Sequence, residues 1–272
     1  MQGNNKMNFF GTVSINIPTF NRLDLLIRCV AAIREHTVYR PYELVIIDDG
    51  STDSGVKKYV ERVADVSVIH SENQGIAQSR HDGVNSSHGF YICQMDSDVI
   101  VTPGWLSKLL DALERRWNDK NAQVVIAAAI LSHQIGYFVE SAKCMNAFGL
   151  IQVETVGTAC TLYRKSLIDI IGNYDPELRN LWSDLDFCKR IGKNLDKFSL
   201  SPKVVIDPKT MAYHHGWVNK QGHMQEDGAE HTRSLPELND KVHKKWHGES
   251  MQRIAERWGI RHSDLEALRN GD

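Results

Sequence analysis

The chain has 272 residues, 42% of them hydrophobic and 24% charged, with a formal net charge of −2. That length buries the core of one large domain with appendages, and the near-neutral balance excludes a surface that is cationic overall and made for polyanions. No apolar run approaches the ~20 residues of a membrane helix, and the polar start Met1-Gln2-Gly3-Asn4-Asn5-Lys6 has no apolar signal core.

The first half alternates strands and helices. Val13-Ser14-Ile15-Asn16-Ile17 predicts a strand ending at Pro18-Thr19-Phe20-Asn21, and Leu25, Leu26, Cys29, Val30 and Ile33 mark the apolar face of a helix over 23–33. Leu44-Val45-Ile46-Ile47 is apolar throughout, as in a strand covered on both faces. It runs into Asp48-Asp49-Gly50-Ser51, after which Asp53 or Ser54 can cap a helix reaching about Val63. A strand over 66–69, a helix over 76–84, a strand over 90–95, a helix over 105–117 and a buried strand over 124–130 follow. This alternation predicts a largely parallel sheet with right-handed crossovers.

Beyond residue 131 the pattern loosens. Residues 132–152 have no clear period and read as an active-site flap. A strand over 155–163, helices over 165–171 and 183–191, and a short strand over 204–206 leading to Ala212-Tyr213-His214-His215 complete this half. From Leu235 onward the chain is charged and helical, with Trp246, Ile254, Trp258 and Leu265 as packing residues. With no repeat or low-complexity linker, the expected organisation is a flexible segment over 1–11, one main domain over 12–216 divided near 130, and a helical extension over 217–272. The five scattered cysteines lack Cys-x-x-Cys spacing. They read as reduced, buried thiols of a cytoplasmic protein, with peripheral membrane contact left open.

Polar groups collect where the predicted strands end. Asp96-Ser97-Asp98 follows the apolar run Tyr91-Ile92-Cys93-Gln94-Met95. If the strand continued, alternation would put both carboxylates on one side. Buried carboxylates need compensation, and a hard divalent cation carrying a diphosphate supplies it. Taken singly, Asp49 reads as a turn residue of Asp-Gly-Ser and Phe20 as core, but three strand ends on one rim argue otherwise, because open parallel sheets bind ligands there; Arg80, by sequence alone, reads equally as an exposed helix arginine. No Gly-x-Gly-x-x-Gly follows the first strand and no Gly-x-x-x-x-Gly-Lys-Ser/Thr occurs, which removes support for dinucleotide and P-loop folds.

The blocks 14–22, 45–53, 73–80 and 95–98, followed by 157–167, 172–176 and 182–187, resemble in order and spacing the signature of family 2 glycosyltransferases with the GT-A fold. The resemblance covers roughly residues 12–215 and implies an α/β fold with a mostly parallel central sheet flanked by helices. It implies that Pro18, Thr19, Phe20 and Asn21 border a nucleotide, that Asp49 accepts a hydrogen bond from its base, and that Arg80, Asp96 and Ser97 lie along the sugar nucleotide. Asp98 would bind Mn²⁺ or Mg²⁺, joined by His214, with His215 as second choice. The family's Glu-Asp pair matches Ser183-Asp184. Asp184 keeps the register of the general base, whereas Ser183 departs from the glutamate that orients the acceptor.

The reaction so implied moves a sugar from a nucleotide diphosphate, by analogy a UDP-sugar, to a hydroxyl of a glycan, lipid-linked saccharide or other acceptor. Inversion in one displacement is expected, with Asp184 taking the proton and burial or nearby carboxylates such as Asp186 strengthening this weak base. A retaining transferase, a nucleotidyltransferase and a catalytically silent sugar-nucleotide-binding module are the competing readings. The second lacks an early Gly-rich segment ending in Arg.

Overall fold

The computed structural model describes residues 11–39, 41–115, 120–131, 149–214 and 240–265. Their apolar runs form one nine-stranded sheet: β1 (Val13–Thr19), β2 (Tyr42–Asp48), β3 (Val66–Ile69), β4 (Tyr91–Met95), β5 (Val99–Val101), β6 (Ala122–Leu131), β7 (Ile151–Val153), β8 (Cys160–Arg164) and β9 (Ser201–His214). The order is β3-β2-β1-β4-β8-β6-β9-β5, with β7 also on β9. Strands β1 to β4, β6 and β9 run one way; β5, β7 and β8 run the other.

Helices cover both faces, as strands without a polar side require. On one face α1 (Leu23–His36), α2 (Ser54–Val63) and α4 (Trp105–Glu114) pack Leu26, Ile33, Val56, Trp105 and Leu109 against Ile15, Ile17 and Ile46. On the other, α3 (Ile76–Ser86), α5 (Leu167–Ile171) and α6 (Ser183–Lys193) bring Val84, Leu167 and Phe187 against Ile92, Ile126 and Tyr163. A third cluster docks the carboxyl-terminal helix α7 (Asp240–Trp258), with Met251 and Ile254 and the following Leu265 buried against Ala77 and Leu178.

Several boundaries differ from expectation for identifiable reasons. β1 runs through Pro18 to Thr19 because its β4 partner pairs only as far as Asn16, so no ladder on that side needs the proline's missing N–H. β4 stops at Met95; residues 96–98 are a turn and not a continued strand, closed by Val99 N–H donating to Asp96 O at 3.2 Å. The short strand at 204–206 is the centre of a 14-residue strand. Its pairing with β6 jumps from Asp207 to Met211, so 208–210 bulge out, and Thr210 Oγ1 donates to Asp207 Oδ2 at 2.6 Å. That bulge breaks the period-2 pattern that would mark a long strand. α4 ends at Glu114 and β8 begins only at Cys160. Of the expected flap, 151–152 belong to β7 and 132–148 lie outside the described residues, as do Trp117, Cys144 and His215.

Candidate functional site: a polar rim and an acidic cluster at the carboxyl ends of the strands

The first strand-end loop is built around two consecutive left-handed residues, Asn21 (φ 54°) and Arg22 (φ 57°). Such conformations cost of order 1–3 kcal/mol each and persist where surroundings enforce them. Here Asn21 Oδ1 accepts from the N–H groups of Thr52 and Asp53 at 3.0 and 3.2 Å, and its own N–H donates to Ser51 Oγ at 2.8 Å. Asn21 thus ties the loop after β1 to the loop after β2. Pro18 and Thr19 are buried at the end of β1, whereas Phe20 is half-buried and belongs to none of the three core clusters.

Asp49, buried beside them, is anchored by its N–H donating to Thr19 O at 2.8 Å. Its Oδ1 lies 2.7 Å from His70 Nδ1 and accepts from Gln74 N–H at 3.0 Å; Oδ2 accepts from Gly75 N–H at 2.9 Å. A carboxylate oxygen takes two donors, so one acceptor position is left, on Oδ2. The other nitrogen of His70 lies 3.1 Å from Asp82 Oδ2. His70 and Asp82 escaped the sequence reading, since a lone histidine after a short strand carries no motif. Gly75 (φ +98°) is required where it stands: a Cβ there would come 2.3 Å from the carbonyl oxygen of Arg179.

The Asp-x-Asp turn projects Asp96 and Asp98 from the end of β4. Asp96 N–H donates to Ala159 O at 3.0 Å, fixing the turn to the loop before β8, and Ser97 is half-buried at its middle. His214 arrives from 116 residues further along, because β5 pairs with β9 in a register that sets Val99 opposite His214. Its Nε2 lies 3.1 Å from Asp98 Oδ1 and 3.8 Å from Asp96 Oδ2. Burial works against a charge on this imidazole, but Asp98, and then Asp96, outweigh it and raise its pKa above the ordinary value.

Ligand atoms of Asp96, Asp98 and His214 all fall within 4.8 Å of one another. Two hard carboxylate oxygens and an imidazole suit Mn²⁺ or Mg²⁺, and a pocket whose field already favours added positive charge suits any cation. The residues present fit the expected metal.

Arg80 connects this cluster to the other half of the molecule. Its Nη2 donates to Asp96 Oδ1 at 3.1 Å and its Nη1 to Ser183 Oγ at 3.0 Å. Arg80 is 8% exposed and Ser183 1%. Burial disfavours the guanidinium charge, yet Asp96 and then Asp184 hold it more firmly protonated than an ordinary arginine. The exposed-helix alternative for Arg80 is excluded, and Ser183, where the resemblance expects a glutamate facing the acceptor, points inward to Arg80.

Asp184 is half-buried in the first turn of α6, where its Oδ1 accepts from Leu185 N–H at 2.8 Å. A Cβ placed on Gly157 would lie 3.8 Å from its Oδ2, so the loop 157–159 runs from Asp184 to the Asp96 turn. Asp186, expected to strengthen Asp184, is engaged by other partners. It is fully buried, and its carboxylate meets Arg257 Nη1 at 2.9 Å, Trp258 Nε1 at 3.0 Å and Arg190 Nε at 3.0 Å. Four described cysteines, Cys29, Cys93, Cys160 and Cys188, are buried thiols; burial pushes Cys188 up to about 12.

The sequence profile described as Glycosyl transferase family 2 matches residues 14–168. Glycosyltransferase GlyG of Streptococcus pneumoniae is 33% identical over 118 residues, covering 42% of this chain and 38% of its own length. Among solved structures, the mannosyltransferase PcManGT of Pyrobaculum calidifontis, in complex with GDP-Man and Mn²⁺, superposes with a TM-score of 0.61 at 15% identity, over 96% of this chain and 80% of its own. GalNAc-T7 with UDP, GalNAc and Mn²⁺ gives 0.58 at 15% identity, over 95% and 53%. At such identities the superpositions establish the fold alone, and this chain spans well under two thirds of GlyG. With a profile match over more than half of the sequence, on a sheet whose strand ends carry the acidic turn, the chain belongs to glycosyl transferase family 2 and has the GT-A fold.

Proposed function

We propose that this protein transfers a sugar from a nucleotide diphosphate, in the first instance a UDP-sugar, to an acceptor hydroxyl with inversion at the anomeric carbon. The observation that carries this reading is the link through Arg80, which ties the Asp96–Asp98–His214 cluster to the helix start bearing Asp184. Donor chemistry and acceptor chemistry thereby share one rim.

Asp98 and His214, with Asp96 beside them, would hold Mn²⁺ or Mg²⁺. When bound, that ion supplies Lewis-acid neutralisation of the diphosphate leaving group. Pro18, Thr19 and Phe20 border the base, and the remaining acceptor position on Asp49 Oδ2 suits a base N–H. Asn21 acts by holding this loop, Ser97 lies along the donor, and Arg80 fixes the orientation of Asp96. Asp184 takes the proton of the acceptor hydroxyl as that oxygen attacks. The structural neighbours were solved with GDP-Man, or with UDP and GalNAc, each with Mn²⁺, which supports a sugar-nucleotide donor. The acceptor is a glycan, a lipid-linked saccharide or another hydroxyl-bearing molecule. Among the described residues no helix is long and apolar enough to cross a membrane.

Calorimetric titration with UDP and with GDP, each with and without Mn²⁺, tests the donor site. Nucleotide release from UDP-glucose, UDP-galactose, UDP-GlcNAc, UDP-GalNAc and GDP-mannose then tests the chemistry, and NMR of the product tests its configuration. Metal-dependent binding and turnover are expected. Binding without turnover on any donor would instead favour a silent binding module, and no binding at all would sink the donor site.

A further inference from the structure

The helix α7 closes on the one turn that carries the proposed base. Asp186, two residues beyond Asp184, is fully buried, and a buried carboxylate is costly without cationic partners. Two of its three partners come from α7: Arg257 Nη1 and Trp258 Nε1 both meet Oδ1, at 2.9 and 3.0 Å. The second arm of Arg257 reaches Asp175 Oδ2, and Arg253 pairs with Glu177. Arg257 therefore spans the loop 175–182, gripping its beginning and the helix it leads into. Between those grips lies Trp182, held left-handed at φ 70°, whose carbonyl accepts from Asp186 N–H at 2.9 Å. Ile254, Met251 and Leu265 press Leu178, Trp182 and Leu185 from the same side.

We infer that Arg257 is a positioning residue for Asp184: through Asp186 and Asp175 it sets the first turn of α6 at the height where the base meets the acceptor hydroxyl. Trp258 shares the task through its indole N–H. The inference rests on the reading of Asp184 as the base. The bidentate fork matters, because a lysine at 257 keeps the charge but cannot hold Asp175 and Asp186 together.

The test uses the full chain with the sugar nucleotide it turns over fastest among the five above. Nucleotide release gives kcat and KM, and calorimetry gives UDP–Mn²⁺ affinity. R257Q should lose kcat by roughly ten- to a hundredfold, the scale set by small misplacements of a reacting group, while UDP–Mn²⁺ affinity stays within about twofold. R257K should resemble R257Q, and W258F, which keeps the packed ring, should lose less. If R257Q does not fold, W258F carries the test alone. The separating experiment is the D184N background, where R257Q should subtract nothing further from residual turnover, because both changes act through one group. Wild-type kcat in R257Q or W258F, or an additive loss in D184N, overturns the inference. D184N inactive with R257Q at wild-type rate refutes only the positioning role. D184N at wild-type rate refutes the base assignment, and this inference with it.

Discussion

The rim where β1, β2 and β4 end and the turn bearing Asp184 are built on opposite principles. At the rim, the ends of β1, β2 and β4 lie side by side because three parallel strands are adjacent, and short-range contacts such as those of Asn21 tie their loops together. At the Asp184 turn the tethering contacts are long-range. The turn holding Ser183 and Asp184 is fixed by Arg80 from within and by Arg257 and Trp258 from outside, over sequence separations of 103, 71 and 72 residues. A turn that hangs on a few long-range hydrogen bonds and one ion pair depends on each of them.

That contrast can be broken by substitution, and the largest effect is expected at the cluster. D98A should abolish metal-dependent turnover, by about a thousandfold or more, because several kcal/mol of charge stabilisation is lost; retention of Mn²⁺-dependent nucleotide release would remove Asp98 from the metal site. D184N should cut kcat by about a hundredfold or more while UDP–Mn²⁺ affinity in calorimetry is unchanged, which separates the two sides cleanly.

R80A strikes the junction itself. It should cost about 3 kcal/mol in urea denaturation, the low end for a broken buried pair because Asp96 keeps partial contact with water. It should also weaken both nucleotide binding and turnover, where D184N changes only the second. G75A tests the backbone seam between the halves. Its positive φ alone costs about 1–3 kcal/mol, and the close approach of Arg179 O leaves no room for the methyl group; unchanged thermal stability would contradict that contact.

The smallest effect concerns acid. Burial raises the Asp175 carboxyl, but the hydrogen bond from Arg257 and the Glu177 N–H outweigh it and place its pKa below the ordinary 3.8. A depressed carboxylate stabilises the fold fully above its unfolded value, and loses that contribution as pH falls through the lower folded one. Docking of α7 should therefore hold from neutral pH down to about 3.8 and weaken only below it. Tryptophan emission, to which Trp182, Trp246 and Trp258 contribute among six tryptophans, should show that acid step in the native protein and not in R257Q.

Local pattern made much of the first half of the chain legible. The apolar runs at 44–47 and 91–95, the Asp53 cap, which accepts from Gly55 N–H at 2.8 Å, and the helix face of α1 all follow from residues a few positions apart. The pairing of Asp96 with Asp98 was visible too, although a tight turn brings them together and not strand alternation. His214 was suggested only by resemblance. Its place beside Asp98 depends on the β5–β9 register and on a bulge at 208–210 that hides the length of β9. Asp186 was read as a helper of Asp184, and nothing local showed that two of its partners, Arg257 and Trp258, lie on a helix more than 70 residues away.

The amino-acid order by itself determined the alternating strands and helices, the acidic turn and the family, because periodicity, capping and short motifs are encoded by neighbours in the chain. Only the tertiary structure decided that Ser183 faces Arg80, that His214 meets Asp98, and that α7 clamps the turn bearing Asp184. Those contacts join residues whose separation in sequence carries no local signal, and buried charges select their partners only once the surrounding core has excluded water.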